Sequence, residues 1–414
     1  MLLSILSGIG RRRRRRSRRE SPKSRDPRPE IRAGPAGSRE RNNLMNFARL
    51  RSKSFLVPTA VTFLFLAVVL ALLGTGERKY APLARTLIQW DGRHYLSIAE
   101  TGYEKFPCPE DPSLVCGNVG WFPLFPLAAR VVSVALGPLG LGMAWSMLIT
   151  GWLCLWAAML LLYRLFARRF DHTVAAGSLA ALALFPTSFY YLTAFPYALY
   201  LLLAAAVFLL VEKERYFAAA APAGLLAITY PTGVAIILPL LWVLVSRWRG
   251  LTPRDRAGLR TASAAVVLAL ILYALYYRLA FGDFFLYVHF QSKPYYAHGA
   301  TVPLLPILDA VVHLPGAHPV RVMLIFVAAA LALFSTRRIP AAWQVFLWGV
   351  LLFTPAAGTT ACYYRHVVVA FPLFAMVGLS LRSRRRPLAV LYAAAALALM
   401  LGVFLDAYKR GVLM

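Results

Sequence analysis

The feature that most constrains this chain is a set of long stretches without a single Asp, Glu, Lys or Arg. They cover 54–76, 131–163, 172–211, 216–246, 261–277, 322–336, 339–364, 366–381 and 387–405. A helix needs about 20 apolar residues to cross the ~30 Å hydrocarbon core of a bilayer. The pattern therefore predicts an all-α polytopic membrane protein. Composition agrees: 59% of the 414 residues are hydrophobic and 15% charged, with a mean hydropathy of +0.61. A soluble domain is typically ~45–50% apolar and ~25% charged. An ordinary soluble enzyme, a disordered chain and a disulfide-framework secreted protein are excluded. The stretch 172–211 is too long for one crossing and has to fold back, with Pro186 and Pro196 marking the place, and Pro231 divides 216–246. The expectation is about eleven transmembrane helices.

Net charge is +28, from 45 Lys and Arg against 17 Asp and Glu. A balance this basic would ordinarily raise nucleic-acid binding, but its placement argues against that partner. Residues 1–54 hold 17 basic and 4 acidic residues, a surplus of 13. The run Arg11–Arg16 and the Pro- and Ser-rich stretch after it cannot bury a core, so 1–54 reads as a disordered cytoplasmic segment. Three readings of it stay open: a solvated tail reinforcing topology, a true start at Met45, or an arm for nucleic acid or anionic lipid. The other basic clusters fall between apolar stretches: Arg164, Arg168 and Arg169; Lys213 and Arg215; Arg247, Arg249, Arg254 and Arg256; Arg337 and Arg338; Arg382 and Arg384 to Arg386. The positive-inside rule places them all in the cytoplasm. The alternate loops, roughly 75–140, 282–320 and 357–366, are rich in Trp, Tyr, Asp and His and face the other way. The spanning domain is expected over 55–405, with a short tail over 406–414.

The outward loops carry the chemistry. The first reads Trp90-Asp91-Gly92-Arg93-His94-Tyr95, continues to Glu100 and Tyr103, and then gives Trp121-Phe122-Pro123. Its apolar spacing suggests interfacial helices, with Asp91, His94 and Tyr95 on one face. An acid at the membrane rim beside Trp90, His94 and Tyr95 suits a base that activates a hydroxyl. An interfacial helix with an aromatic belt and a surface acid explains the same residues. The second loop holds Asp283, His289 and Lys293; the third holds Tyr363, Tyr364, Arg365 and His366. Arg365 suits a bidentate phosphate clamp and Lys293 a point charge, or both snorkel to lipid phosphates. Cys108 and Cys116 form a candidate disulfide outside the cytoplasm. No metal site and no cofactor is expected, and no Walker loop, GxGxxG or HExxH occurs.

These segments, in this order, resemble the PIG-V family of polytopic mannosyltransferases, which includes GPI mannosyltransferase 2 and its bacterial and archaeal relatives and belongs to the GT-C superfamily. The carrying residues are WDGRHYLSIAETGY (90–103), WFPLFP (121–126), LFPTSFYYLTAFPYALYLLLA (184–204), ITYPTGVAIILPLLW (228–242), FGDFFLYVHFQ (281–291) and YYRHVVVAFPLF (363–374). The resemblance covers about 55–381. The chain departs from the family at two places. The third segment lacks the family's glutamate, at Tyr197-Ala198, and Tyr230 stands where the family tends to have an arginine. Tyr197 and Tyr230 are expected to meet in place of that ion pair.

The resemblance implies an inverting glycosyltransferase with a GT-C-like fold. It would move a hexose, most plausibly mannose, from a polyprenyl-phosphate donor to a lipid or glycan acceptor on the extracytoplasmic face of a bacterial plasma membrane, or of the endoplasmic reticulum membrane in a eukaryote. Asp91 maps onto the family's catalytic base. Trp90, His94, Tyr95, Lys293, Tyr364, Arg365 and His366 are the candidate substrate-binding residues, with Arg365 or Lys293 expected across a cavity from Asp91 at roughly 6–12 Å, the span of a sugar phosphate with a hydrogen bond at each side. Glu100 and Asp283 are the reserve acids. A lipid or solute transporter and a non-catalytic membrane scaffold are the alternatives.

Overall fold

The structure is a computed structural model that describes residues 36–74, 83–294, 296, 298–316 and 318–411. Residues 1–35 of the expected basic tail lie outside this set. From Ala36 the backbone is one helix, α1 (Ala36–Gly74), so the boundary drawn at 54 is not a break in secondary structure. Past the last proline of the basic segment, at position 35, the sequence consists largely of residues that a helix accepts, and charge alone does not end a helix.

After α1 come α2 (Leu83–Leu87) and α3 (Asp91–Glu100), then a short antiparallel hairpin of β1 (Lys105–Pro107) and β2 (Val115–Gly117). The chain is otherwise helical: α4 (Leu124–Leu136), α5 (Met143–Arg169), α6 (His172–Ala183), α7 (Tyr197–Glu212), α8 (Ala220–Ala227), α9 (Ile237–Ser246), α10 (Pro253–Phe281), α11 (Leu286–Gln291), α12 (Leu304–His313), α13 (Pro319–Leu333), α14 (Ala341–Ala356), α15 (Tyr363–His366), α16 (Phe371–Leu381), α17 (Arg386–Leu399) and α18 (Leu405–Lys409). The hairpin is the one element of the first loop that helical periodicity does not contain. Pro107 and Gly117 bound it, and Cys108 is bonded to Cys116 across it with Cα atoms 4.9 Å apart.

Local chemistry sets the helix ends. Helix α10 starts with Thr252 and Asp255 in a reciprocal capping box, with Pro253 in the first turn, and it stops at Gly282 with φ 76°. Asp171 caps α6 by accepting from the backbone of Thr173 and Val174. Helices α6 and α16 cross closely at Gly378. A Cβ there would come within 2.2 Å of Ser178 Oγ, so only glycine admits this approach.

Four helices among the described residues are long and apolar enough to cross a membrane: Ser52–Gly74, Met143–Arg169, Pro253–Phe281 and Arg386–Lys409. A fifth candidate is a pair, Tyr363–Val369 and Phe371–Leu381, bent by 68°. The remaining apolar helices have 10–17 residues. A count of eleven crossings does not follow from these lengths. The shortfall has a physical cause. The stretch 172–211 breaks between α6 and α7, and 216–246 breaks at Pro231 between α8 and α9, so each yields short helices joined by irregular turns.

Irregular backbone at this depth must be satisfied by protein, and buried side chains do so. Thr187 Oγ1 donates to the carbonyl of Tyr364 at 2.7 Å, Tyr191 Oη to Val368 at 2.6 Å, Trp152 Nε1 to Leu192 at 3.0 Å and Tyr200 Oη to Thr232 at 3.1 Å. The broken segments 184–196, 228–236 and 362–370 therefore knit to their neighbours through hydroxyls and an indole.

Residues 50–414 form one compact unit, with two chemically distinct ends. At one end the loops expected to share a face do converge. Lys293 Nζ donates to Val115 O at 2.7 Å, Gln291 Nε2 to Gly120 O at 3.1 Å, and Gly299 N to Ala357 O at 3.0 Å. At the other, Arg382 pairs with Asp171, Arg385 donates to the carbonyl of Leu333 and Arg168 to that of Glu212. The short tail expected at 406–414 is helical through Lys409. Tyr408 within it is fully buried, and its hydroxyl donates to Thr86 O at 3.0 Å.

Candidate functional site

The loop-bearing end contains one buried ion pair. Asp91 Oδ2 lies 2.7 Å from Arg365 Nη2, with side-chain exposures of 25% and 7%. The local backbone on both sides is unusual. Among the described residues only Trp90, Glu214 and Cys362 have positive φ without being glycine, and two of these stand beside the pair. Trp90, at φ 45° and ψ −120°, immediately precedes Asp91; Cys362, at φ 60°, opens the turn that carries Arg365. Such conformations cost about 1–3 kcal/mol each and persist where the surroundings impose them.

The surroundings do so. Trp90 packs edge-on against Tyr408 at 5.2 Å, and Ala194 N donates to Leu87 O at 3.0 Å, fixing the segment before α3 against the broken segment before α7. Gly92 packs closely in this contact, where a Cβ would meet Ala194 at 3.3 Å.

The guanidinium of Arg365 sits over the ring of Phe195 at 5.2 Å. Phe195 stacks on Tyr197, and the hydroxyls of Tyr197 and Tyr230 are 3.2 Å apart. Tyr230 in turn packs edge-on against His366 at 5.3 Å, and His366 Nδ1 shares a 2.7 Å hydrogen bond with Thr354 Oγ1. Asp91, Arg365, Phe195, Tyr197, Tyr230, His366 and Thr354 thus form one connected cluster of polar and aromatic side chains, with Asp91 and His366 partly buried and the rest buried. Only one of the three guanidinium nitrogens of Arg365 is used. Nε and Nη1 are buried and have no hydrogen-bond partner among the described residues.

The other sequence-derived candidates fall in different places. Tyr95, one turn after Asp91, is buried against Phe125. His94 stacks on Trp121 at 3.6 Å, and burial pushes its pKa below the ordinary 6.5, opposed by the charge of Asp91. Tyr364 packs between Tyr190 and Phe404.

Two expectations need correction. Arg365 does not stand 6–12 Å across a cavity from Asp91; it touches the carboxylate. Lys293 is already engaged, since its ammonium donates to Val115 O and lies over Phe290 at 3.7 Å, and burial lowers its pKa. It fastens α11 to the disulfide-closed hairpin.

Of the reserve acids, Asp283 pairs with His289 at 2.8 Å, and Glu100 ends α3 two and a half turns from Asp91. Sequence reasoning missed Phe195, Thr354 and Tyr408. Phe195 and Thr354 carry no ionisable group, and Tyr408 lies in the segment read as a short C-terminal tail. Among the described residues no group of three His, Cys, Asp or Glu side chains is placed to hold a metal ion.

No family model and no curated protein matches this chain. Among solved structures it is similar to the oligosaccharyltransferase of Archaeoglobus fulgidus in its apo form, with a TM-score of 0.46 and 9% identity over 85% of this chain and 56% of that one. The same enzyme tethered through a disulfide to an acceptor peptide containing the NVT sequon gives a TM-score of 0.45 and 11% identity over 85% and 55%. The chain spans a little over half the length of these structures. A likeness this distant does not bear on which residues act, or on what.

Proposed function

We propose that this chain is an integral-membrane inverting glycosyltransferase of the GT-C type, which moves a hexose, mannose first among candidates, from a polyprenyl-phosphate donor to a lipid or glycan acceptor. One observation carries the reading: a buried arginine holds a single carboxylate and leaves two buried donors unmatched. Leaving charged donors buried and unpaired is unfavourable by more than the ~1–3 kcal/mol of a neutral group, and a phosphate is the ligand whose oxygens fit a planar fork.

In this mechanism the donor phosphate takes one edge of the Arg365 guanidinium, Nη2 together with Nε or Nη1, which draws the guanidinium away from sole engagement with Asp91. Asp91 takes the proton of the acceptor hydroxyl as that oxygen attacks the anomeric carbon. The bond from that carbon to the phosphate oxygen breaks, and its electron pair leaves on the phosphate, whose charge Arg365 meets. The leaving group is already an anion, so no general acid is required. His366, held by Thr354, and the Tyr197–Tyr230 hydroxyl pair form the neutral side of the site and are assigned to sugar hydroxyls. The basic loops on the far end support an extracytoplasmic site, where a lipid-carried donor is available and nucleotide sugars are not.

The direct Asp91–Arg365 contact also fits a second reading, a non-catalytic scaffold in which the pair is purely structural. Membranes containing the chain, incubated with labelled polyprenyl-phosphate mannose and scored for label in lipid or glycan, separate the two. Transfer above that of membranes lacking the chain supports the enzyme. No transfer with any polyprenyl-phosphate hexose supports the scaffold.

A further inference from the structure

The end of the molecule opposite the ion pair holds a cavity of about 550 Å³, lined by residues 245–251 together with Glu214 and Tyr216. Cavities of this size fall within the ~300–1,000 Å³ range of ligand sites. Three observations say what it would take.

The first is uncompensated charge. Arg247 and Arg249 line the cavity, and none of the ion pairs among the described residues engages them. Arg256 and Arg260, one turn apart on α10, both place their guanidinium groups on the ring of Trp248, at 4.6 and 5.2 Å, and Trp248 also lines the cavity. Arg256 Nε also donates to the Trp248 carbonyl at 3.1 Å, so the indole and this carbonyl hold two like charges together and add to the positive field beside the cavity. Asp255 is committed to the Thr252 cap, which leaves Glu214 as the acid at the cavity wall.

The second is an apolar approach. Leu238, Leu241, Trp242 and Val245 are exposed along one face of α9 at the spacing of a helical stripe. Val245, the last of them, is 73% exposed and lines the cavity. The stripe leads directly into the arginines.

The third is the conformation of Glu214. At φ 57° it closes α7 with bonds from its own amide to Val211 O and from Arg215 N to Leu210 O. Glycine is the usual residue at this position. Glu214 lines the same cavity as Arg247 and Arg249, and its carboxylate offsets part of their charge.

We infer that this cavity binds the phosphate of a phospholipid with an anionic headgroup, its acyl chains lying along the Leu238–Val245 stripe. The site is separate from the Asp91–Arg365 pair and does not depend on the reaction proposed for it. Free inorganic phosphate shares the headgroup chemistry but would make no use of the stripe.

The test uses the purified full chain in neutral detergent, titrated with phosphatidylglycerol or phosphatidylcholine and read by native mass spectrometry. A parallel arm measures thermal stabilisation by inorganic phosphate. Phosphatidylglycerol should be retained in preference to phosphatidylcholine. Arg247→Gln with Arg249→Gln should weaken that retention by about tenfold, the scale of a lost charge-assisted hydrogen bond. Arg337→Gln with Arg338→Gln, on another basic loop, should leave it unchanged, and Glu214→Gln should strengthen it. Stabilisation by inorganic phosphate without preference between the lipids would overturn the lipid assignment. Equal loss in both double variants, or no loss in either, would overturn the site.

Discussion

Two ion pairs at opposite ends of the molecule use the same chemistry in opposite settings. Asp171 and Arg382 tie α6 to the segment after α16 with side chains 34% and 56% exposed. Their carboxylate is also the cap of α6, satisfied by two backbone amides. Asp91 and Arg365 meet at 2.7 Å, with the arginine 7% exposed and two of its nitrogens unmatched. The outer pair is explained by where it lies: basic residues collect at that end, and a nearby helix cap supplies an acid. The inner pair has no such explanation. Burying two charges is expensive and their mutual attraction only partly offsets it, and the backbone on both sides is held in strained conformations. An arrangement that is unfavourable twice over is better understood as serving a ligand than as serving the fold.

Breaking each pair sharpens this contrast. Arg365→Ala leaves Asp91 partly buried without its partner. It should destabilise the protein by about 3–5 kcal/mol, the range for half of a buried pair removed, and should weaken donor binding. Thermal unfolding and donor binding in detergent check both effects. Arg365→Lys keeps the charge but loses the fork, so it should recover stability more than donor binding.

Opening the Cys108–Cys116 bridge with paired serines should cost about 2–4 kcal/mol, typical of a native disulfide. It should lower the unfolding temperature while leaving transfer measurable, because neither cysteine lies in the cluster around Asp91 and Arg365.

Arg382→Ala, the matching change at the outer pair, should shift stability by about 1 kcal/mol or less, as for other exposed pairs. An effect as large as that of Arg365→Ala would erase the distinction between the two ends.

The smallest expected effect is a pH dependence. Burial holds the pKa of His94 below 6.5. As pH falls through about 6.5 the unfolded chain binds this proton first, so the folded state loses stability down to the lower folded value. Above 6.5 the contribution is complete. His94→Phe, which preserves the stack on Trp121, should flatten this part of an unfolding-temperature profile between about pH 5 and 7.

Much of this organisation was legible in the sequence. Charge-free stretches contain the apolar helices, though most of these are too short to cross a membrane singly, and the alternation of basic with aromatic loops sorts the connections into the two ends that the fold brings together. Pro231 and the Pro186–Pro196 segment mark where the helices break. The family resemblance drew attention to Tyr197 and Tyr230, whose hydroxyls do meet. What could not be read is how near the loops come. Nothing in spacing distinguishes an arginine 6–12 Å from Asp91 from one in contact with it, because that separation is set by the bend after α15 and by the packing of Phe195 beneath the guanidinium. Lys293 looked like a free charge because the hairpin carbonyl that holds it belongs to two short strands without a periodic signal. Tyr408 looked like tail because it lies past the last charge-free stretch, which ends at 405, and nothing there hints that its ring will support Trp90.

The central claim, that Asp91 is a base held in reserve by Arg365, is tested most directly by Asp91→Asn in a transfer assay run beside donor binding. The amide keeps size and polarity and removes the proton acceptor. Turnover should fall by about 10²-fold or more, the usual worth of a general base, while donor binding stays the same or tightens because Arg365 is freed for the phosphate. Turnover within a few-fold of the unaltered protein, or a loss that follows donor binding alone, would contradict the account and leave the pair a structural one.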